Sequence, residues 1–283
     1  MISYRRCTEV DINLVFAAFI IGFSDYIVKI RVPKEFFVKR FFGPEGNKLE
    51  LSFIALDSNK PVGIVLGGVK EYEGIKTMRC GAIALHPSYR GEGISQNLMR
   101  LHKEEAIKQG CKQLFLEVIA GNNRAISFYE DLNYEKVYDL NYYTLIEIGR
   151  LQRKNDLCLN ITPMEVIGLK VIRKKILDVH INWQNDLEYL EQSEGQLTLA
   201  ACIQNRLVGV ISINKNSRIN FLWVKNSFRC RGIATALISE GIKILNLSKV
   251  IIGFPNNSLI QGFVKHIGFI KGNIVQYEMY CDI

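Results

Sequence analysis

The sequence predicts an α/β (α+β) protein built from two similar domains in tandem. Strand-like apolar runs alternate with stretches of helical periodicity along the 283 residues, and the same order of elements occurs twice. The repeat period is about 140 residues, far above the roughly 20–50 residues of a solenoid unit, so it indicates two domains rather than an array. We predict an N-terminal domain at 1–150 and a C-terminal domain at 151–283, with the boundary near 148–155.

The elements of the first half follow from local patterns. Alternating or continuous apolar runs bounded by turn residues predict strands at 2–6, 51–56, 61–70, 77–85, 113–119, 134–137 and 142–148. Apolar residues at helical spacing predict helices at about 11–21, 33–41, 94–110 and 122–131. The short Asp57–Lys60 segment is a hairpin signal, and Gly110 is typical of a helix C-terminus.

The second half repeats this order. Strands are predicted at 197–203, 207–214, 219–224, 250–253 and 274–281, and helices at 233–245 and 258–266. A helical lead-in at 164–190 is harder to match with the first half.

Composition excludes several function classes. The formal net charge of +8 is dispersed, without a long basic run or interleaved aromatics, so we expect a surface that attracts anionic small molecules and no nucleic-acid partner. The apolar run at 14–23 is too short to span a bilayer, which takes about 20 residues, so we expect no membrane partner and a cytoplasmic location. Seven cysteines without C-x-x-C spacing and four unclustered histidines predict no metal site.

The sharpest signal is the turn Arg90-Gly-Glu-Gly-Ile-Ser95, between a strand and a helix. Its glycines let the backbone approach a ligand closely. Unpaired amides in the first helical turn can then bind phosphate oxygens, with Arg90 as an additional cation. Neither a Rossmann fingerprint nor a P-loop is present at this turn.

A second pattern follows downstream: Asn122-x-x-Ala125-x-x-Phe128-Tyr129, then Asn133-Tyr134. Together with Arg90-x-x-Gly93-x-Ser95, it resembles the GNAT superfamily of acetyl-CoA-dependent N-acetyltransferases. That family pairs an Arg/Gln-x-x-Gly-x-Gly/Ala turn with an Asn-x-x-Ala-x-x-Phe-Tyr helix. The resemblance covers most of residues 1–148 and implies, for each domain, a mixed, mostly antiparallel central sheet flanked by helices.

The resemblance also implies a site. Tyr129 stands at the position of the family's general acid, and Glu117 at that of a carboxylate base found in some members. Direct transfer to a primary amine through a ternary complex is implied, without a cysteine intermediate or a metal. The expected contacts to acetyl-CoA come from a splayed strand end, the turn and the later helix: Ile83, Ala84, Leu85, Arg90, Gly91, Glu92, Gly93, Ile94, Ser95, Gln96, Asn122 and Phe128.

Several of these residues also have a purely structural interpretation. Arg90 could be a solvated turn cation, Tyr129 a core aromatic, and Asn122 only a helix cap. For Glu117 a salt-bridged or solvated carboxylate is as good an interpretation as a base.

The same template fits the second half, with differences. Arg229-x-x-Gly232-x-Ala234 repeats the turn and Asn257-x-x-Ile260-x-x-Phe263-Val264 repeats the helix. Val264 takes the place of Tyr129, and Ile252 roughly that of Glu117. We therefore expect a non-catalytic partner domain that either binds CoA or keeps only the fold, although an active one with its acid elsewhere stays open.

Two function hypotheses remain at this point. One is an N-acetyltransferase acting on a small-molecule or peptide amine, and the other is a non-catalytic CoA sensor or protein-interaction module. The expected acceptor region is about 23–42, which mixes phenylalanines with charges of both signs. The chain is expected to be a monomer with pseudo-dimeric lobes or a homodimer.

Overall fold

The computed structural model describes residues 1–151, 158–176 and 179–283. The chain forms two compact units: unit 1 is Met1–Tyr138 with Tyr277–Ile283, and unit 2 is Asp139–Gln276. These limits differ from the predicted domains 1–150 and 151–283. Part of the predicted boundary range 148–155 lies outside the described residues.

Unit 1 contains the elements expected of the first half, most of them within a few residues of their predicted limits. They are β1 (Ile2–Arg6), α1 (Ile12–Gly22), α2 (Lys34–Phe41), β2 (Lys48–Asp57), β3 (Lys60–Tyr72), β4 (Ile75–Leu85), α3 (Ile94–Lys108), β5 (Gln113–Ile119) and α4 (Asn123–Glu130).

Unit 2 begins within a strand. The two closing strands predicted at 134–137 and 142–148 are one continuous strand, β6 (Glu135–Leu145), because no glycine or proline interrupts the segment between them. The further elements are β7 (Asn160–Pro163), α5 (Leu169–Arg173), α6 (Leu187–Gln192), β8 (Gln196–Ile203), β9 (Arg206–Asn214), β10 (Arg218–Val224), α7 (Ile233–Leu245), β11 (Val250–Phe254), α8 (Ser258–His266) and β12 (Ile270–Asp282).

Each unit has a mixed sheet. In unit 1 the order is β1-β2-β3-β4-β5, followed by the last residues of β12, and in unit 2 it is β6-β11-β10-β9-β8-β7. Most neighbours are antiparallel, while β4 with β5 and β10 with β11 are parallel. The predicted fold class, two tandem domains with mostly antiparallel sheets flanked by helices, is confirmed.

In both units the pairing of the parallel strands ends immediately before a β-bulge. Pairing of β4 with β5 ends at Cys80 and Leu116, and the next residue of β4, Gly81, is skipped in the register with β3. Pairing of β10 with β11 ends at Ile219 and Ile252, and Asn220 is skipped in the same way. Bulges bend a strand and redirect its side chains, and here the pairing of the two parallel strands ends at each bulge, which leaves a gap in the ladder beyond it.

Helices cover both faces of each sheet. In unit 1, α3 and α4 pack over one face, in a core that includes Leu98, Leu116 and Tyr129. The other face packs against α1 and α2, around Phe19 and Phe37. In unit 2, α7 and α8 bury one face and the short α5 and α6 the other.

Candidate active site

The turn before α3 has the backbone that its glycines predict. Gly91 has φ +85° and Gly93, the N-cap of α3, has φ +77°. Only glycine adopts such angles without strain, and no atom lies within 4 Å of where a side chain would begin at either position. Ile94 is buried in the core, so it can offer a ligand only its amide, whereas the side chains of Glu92 and Gln96 are exposed. The turn is therefore an open anion cradle at a helix N-terminus.

The end of β4 lies beside this cradle. Ile83, Ala84 and Leu85 pair with β3 on one side, but on the side toward β5 the strand pairing has already ended. The predicted contact of these three residues with acetyl-CoA would use the edge of β4 that faces β5, beyond the last pair at Cys80 and Leu116.

Tyr129 lies in the core that also contains Cys80 and Leu116, the last paired residues of β4 and β5, with 7% of its surface exposed. Its ring packs against the rings of Phe128 and Tyr134, at centroid distances of 5.5 and 5.9 Å. Burial, with smaller contributions from Cys80 and Tyr26, raises the pKa of Tyr129 well above its ordinary value of 10. A phenol is protonated at neutral pH even at its ordinary pKa of about 10, and the protonated form is the one a general acid needs.

Asn122 caps α4 and also contacts a residue that the sequence did not single out. Its Oδ1 accepts a hydrogen bond from the amide of Ala125 at 3.4 Å, and its side chain lies beside the hydroxyl of Tyr26, where it opposes the rise that burial causes in the pKa of that phenol. Tyr26 follows α1, so the segment between α1 and α2 lies close to the N-terminus of α4.

The segment between α1 and α2 also contacts Arg90. Both Nη atoms of Arg90 donate to the carboxylate of Asp25, each at 2.6 Å. The hydrogen bonds to Arg90 lower the pKa of Asp25, so the carboxylate is ionised at neutral pH. The predicted phosphate-binding cation is thus held by an acidic side chain.

Glu117 is buried and ion-paired. Its Oε2 accepts from Nη2 of Arg79 at 2.6 Å, and Nη1 of Arg79 donates to Glu45 at 2.9 Å. The other oxygen of Glu117, Oε1, is buried without a hydrogen-bond partner among the described residues. The Oε1 atom of Glu117 therefore takes no part in the ion pair with Arg79.

The structure does not place Glu117 and Tyr129 on the same face of the sheet. Leu116 and Val118 belong to the core that contains Tyr129, so Glu117, between them in β5, points to the other face. The Tyr129 phenol and the Glu117 carboxylate therefore lie on opposite faces of the sheet, near the point where the pairing of β4 with β5 ends.

The strand registers change which residue of unit 2 corresponds to Glu117 of unit 1. Since Cys80 and Ile219 are each the last paired residue before a bulge, Ile252 corresponds to Leu116 and Gly253 to Glu117. The expected match of Ile252 with Glu117 was wrong because the connection from β11 to α8 is one residue shorter. Val264, the seventh residue after its Asn cap as Tyr129 is, lies in the unit 2 core.

Among the described residues, no group of three His, Cys, Asp or Glu side chains is arranged to hold a metal ion. No described helix has the length and apolar character needed to cross a membrane.

Sequence comparison matches both units. The model of the "Acetyltransferase (GNAT) family" matches residues 24–134, and that of the "Acetyltransferase (GNAT) domain" matches residues 169–257. The chain belongs to the GNAT acetyltransferase family. It carries the tandem form, with one GNAT domain matched in each half.

Two individual relatives are named as acetyltransferases. An "N-alpha-acetyltransferase 30" of Dictyostelium discoideum is 29% identical over 114 residues, which are 40% of this chain and 60% of that protein. An "Acetyltransferase" of Sodalis glossinidius is 33% identical over 86 residues, 30% of this chain and 58% of that protein. The GNAT chain thus spans about 60% of the length of these curated relatives.

Solved structures share the fold over the whole chain. A "Tandem GNAT protein from the clavulanic acid biosynthesis pathway" has a TM-score of 0.71 at 13% identity, covering 100% of this chain and 98% of that one. A "GCN5-related N-Acetyltransferase" from Sphaerobacter thermophilus has a TM-score of 0.69 at 13% identity, covering 99% and 95%.

Proposed function

We propose that unit 1 transfers the acetyl group of acetyl-CoA directly to a primary amine. The observation that carries this proposal is the position of Tyr129, a buried phenol in the same core as Cys80 and Leu116, the last paired residues of β4 and β5. Val264 at the equivalent position of unit 2 has no proton to give.

The binding part of the proposal rests on the cradle and the strand gap. The pyrophosphate of acetyl-CoA would lie on the amides at Gly91 to Gln96, with Arg90 as counter-ion. The pantetheine arm would follow the unpaired edge at Ile83, Ala84 and Leu85, with Asn122 and Phe128 beside it. The open positions at Gly91 and Gly93 support this arrangement, since a side chain there would stand between backbone and phosphate.

The chemical step needs a neutral amine and a protonated leaving group. The amine nitrogen attacks the thioester carbonyl carbon, the carbon–sulfur bond breaks, and the electron pair goes to sulfur. Tyr129 donates its proton to that thiolate, whose ordinary pKa is about 8.5. Glu117 accepts a proton from the amine, directly or through water, at Oε1, while Arg79 holds Oε2.

The acceptor class we favour is the amino terminus of a peptide. Two relatives, from Dictyostelium discoideum and Saccharomyces cerevisiae, are named "N-alpha-acetyltransferase 30", at 29% and 25% identity over about two fifths of this chain. The segment between α1 and α2, which contacts both Arg90 and Asn122, would bound the acceptor site.

Thiol release from acetyl-CoA tests the proposal, using peptides, polyamines, aminoglycosides and amino acids as acceptors. Each peptide is paired with the same sequence blocked at its N-terminus. We expect release of CoA and addition of one acetyl group to the free peptide only. Binding of CoA without turnover on any amine would instead favour a non-catalytic CoA sensor, and turnover on a non-peptide amine alone would refute the peptide assignment.

A further inference from the structure

The side chain of Asn47 lies on the β-bulge of unit 1. Asn47 immediately precedes β2 and is 2% exposed, and its Nδ2 donates to the carbonyl oxygen of Phe41 at 2.8 Å. Gly81 is the residue of β4 that the register skips at the bulge, and a side chain added there would overlap the carboxamide of Asn47. The missing side chain at Gly81 therefore lets Asn47 occupy the space over the bulge.

Glu117 is next to this place in the neighbouring strand. The last pair of β4 and β5 immediately precedes Gly81 and Glu117, and neighbouring strands are roughly 5 Å apart. Arg79 bonds the carboxylates of both Glu117 and Glu45. Since Glu45 lies only two residues before Asn47, the side chains of Asn47 and Glu117 share one face of the sheet, the face that α2 covers.

Two oxygens at this place have no hydrogen-bond partner among the described residues: Oδ1 of Asn47 and Oε1 of Glu117. Both atoms are buried, and an amide oxygen or a carboxylate oxygen can only accept a hydrogen bond. Buried acceptors without a donor are unfavourable, so the group that complements them carries two donors. A neutral primary amine has two N–H donors and one lone pair.

The equivalent place in unit 2 is filled by side chains of the chain itself. Asn220 is the residue that the register skips at this bulge, and its carboxamide both accepts and donates hydrogen bonds, one of them to Asn185 at 3.1 Å. Gly253 takes the place of Glu117, and the ring of Tyr142 lies where a side chain at Gly253 would begin. The pair of open acceptors is therefore a feature of the unit to which acetyl transfer is assigned.

We propose that Asn47 binds the reacting amine and makes unit 1 selective for primary amines. The inference rests on the acetyl transfer proposed above and names the substrate class of that site. One N–H of the amine donates to Oε1 of Glu117 and the other to Oδ1 of Asn47, which leaves the lone pair free to attack the thioester.

The two hydrogen bonds have different fates in the reaction. When the nitrogen has attacked the carbonyl carbon, its proton on Glu117 passes to Oε1, and the product amide keeps its remaining proton on Asn47. A secondary amine has a single N–H, so one of the two buried oxygens stays unpaired throughout its reaction. The site therefore favours a primary amine without having to exclude a secondary amine by size.

Two variants separate amine binding from the contact of Asn47 with α2. Asn47→Leu and Asn47→Asp both lose the donor to the carbonyl oxygen of Phe41, but only Asp keeps an oxygen at the position of Oδ1. Thiol release is measured with a peptide that begins with glycine. We expect kcat/KM for the peptide to fall about 10-fold in Asn47→Leu, roughly the loss of one neutral hydrogen bond, and to change less than about 3-fold in Asn47→Asp. The KM for acetyl-CoA should stay unchanged in both.

A second peptide tests the selectivity directly. It begins with sarcosine, the N-methyl form of glycine, and is otherwise identical. The parent chain should use the glycine peptide at least 10-fold better in kcat/KM, and Asn47→Leu should lower activity on the glycine peptide alone. If circular dichroism shows that Asn47→Leu does not fold, the comparison of the two peptides in the parent chain still decides.

Binding of n-butylamine, followed as a rise in melting temperature, needs no acetyl transfer. The rise should be similar in the parent chain and Asn47→Asp and clearly smaller in Asn47→Leu. If no amine is acetylated while this pattern is observed, the proposed transfer fails and the amine site stands. If no amine is acetylated and n-butylamine gives no rise, or an equal rise in all three proteins, the amine site fails as well.

Three results with active protein would overturn the proposal. Activity of Asn47→Leu equal to that of the parent chain would mean that another donor, such as water, satisfies the Asn47 oxygen. Equal losses in Asn47→Leu and Asn47→Asp would leave Asn47 only its contact with Phe41. Equal kcat/KM on the glycine and sarcosine peptides would show that the second N–H of the amine is not recognised.

Discussion

Asp25 and Arg90 form a two-point ion pair, with both Nη–Oδ distances at 2.6 Å. The carboxylate comes from the segment after α1 and the guanidinium from the turn that precedes α3. Half of the Asp25 side chain is exposed, so water screens the pair and its contribution is small. A phosphate bound at the turn must compete with Asp25 for the same guanidinium.

Asp25→Asn is therefore expected to improve the use of acetyl-CoA. Exposed pairs contribute about 0.2–1 kcal/mol, so the KM for acetyl-CoA should fall by up to about 5-fold while kcat is retained. Steady-state thiol release measures both constants, with the exposed Asp282→Asn as control. A higher KM in Asp25→Asn would mean that Asp25 positions Arg90 for the phosphate rather than competing with it.

Two buried carboxylates, those of Glu45 and Glu117, bond Arg79. Comparing them distinguishes a structural role of Glu117 from a catalytic one. Both carboxylates bond the same guanidinium, so Glu117→Gln and Glu45→Gln should each destabilise unit 1, by about 3 kcal/mol as for the loss of one partner of a buried pair. Only Glu117 is proposed to accept a proton. We expect kcat to fall about 100-fold in Glu117→Gln, with a flattened acidic limb of the kcat/KM profile.

Glu45→Gln is the matched control for this prediction. Although burial opposes its ionisation, Arg79 and Arg40 hold the pKa of Glu45 below its ordinary value, so it is charged at neutral pH as a simple ion-pair partner. Thermal melts and pH–rate profiles of both variants are compared. Equal losses of activity with unchanged profiles would make Glu117 a structural residue.

His102 predicts a pH dependence of stability. It is completely buried in α3, its ring nitrogens have no partner among the described residues, and burial lowers its pKa to about 4. The unfolded chain binds the proton near pH 6.5, so the contribution of neutral His102 is complete above that pH and is lost as pH falls toward 4.

The expected loss between pH 7.5 and 4.5 is about 2–3 kcal/mol, at roughly 1.4 kcal/mol per pKa unit. Denaturant unfolding at the two pH values measures it in the parent chain and in His102→Leu, where this part of the pH dependence should disappear. His266→Gln, an exposed histidine, should keep it. An unchanged pH dependence in His102→Leu would show that other groups cause it.

Local features of this chain could be predicted from sequence. The turn at Gly91 and Gly93 has positive φ angles because only glycine adopts them cheaply, and Asn133, expected to tolerate such a conformation, has φ +64°. The fold class followed from the repeated order of apolar runs and helical periods, and the family from two short motifs. The position of Tyr129 on α4 followed from spacing, and its burial raises its pKa further than the sequence suggested.

Relations between distant segments could not be predicted in this way. The pairing of Asp25 with Arg90 joins residues that are 65 positions apart, and nothing local marks it. That Tyr277–Ile283 belongs to unit 1 was also missed, because strand alternation specifies a face but not the neighbouring strand. The equivalence of Gly253 with Glu117 required the strand register.

The most direct test of the central claim compares Tyr129→Phe with Tyr134→Phe. Both hydroxyls lie in the same core, the rings are 5.9 Å apart, and burial raises both pKa values, but only Tyr129 is proposed to give its proton to the thiolate. We predict that kcat for thiol release falls 100-fold or more in Tyr129→Phe and less than about 3-fold in Tyr134→Phe, with little change in KM for acetyl-CoA. Full activity in a folded Tyr129→Phe protein would contradict the assignment of general acid chemistry to unit 1.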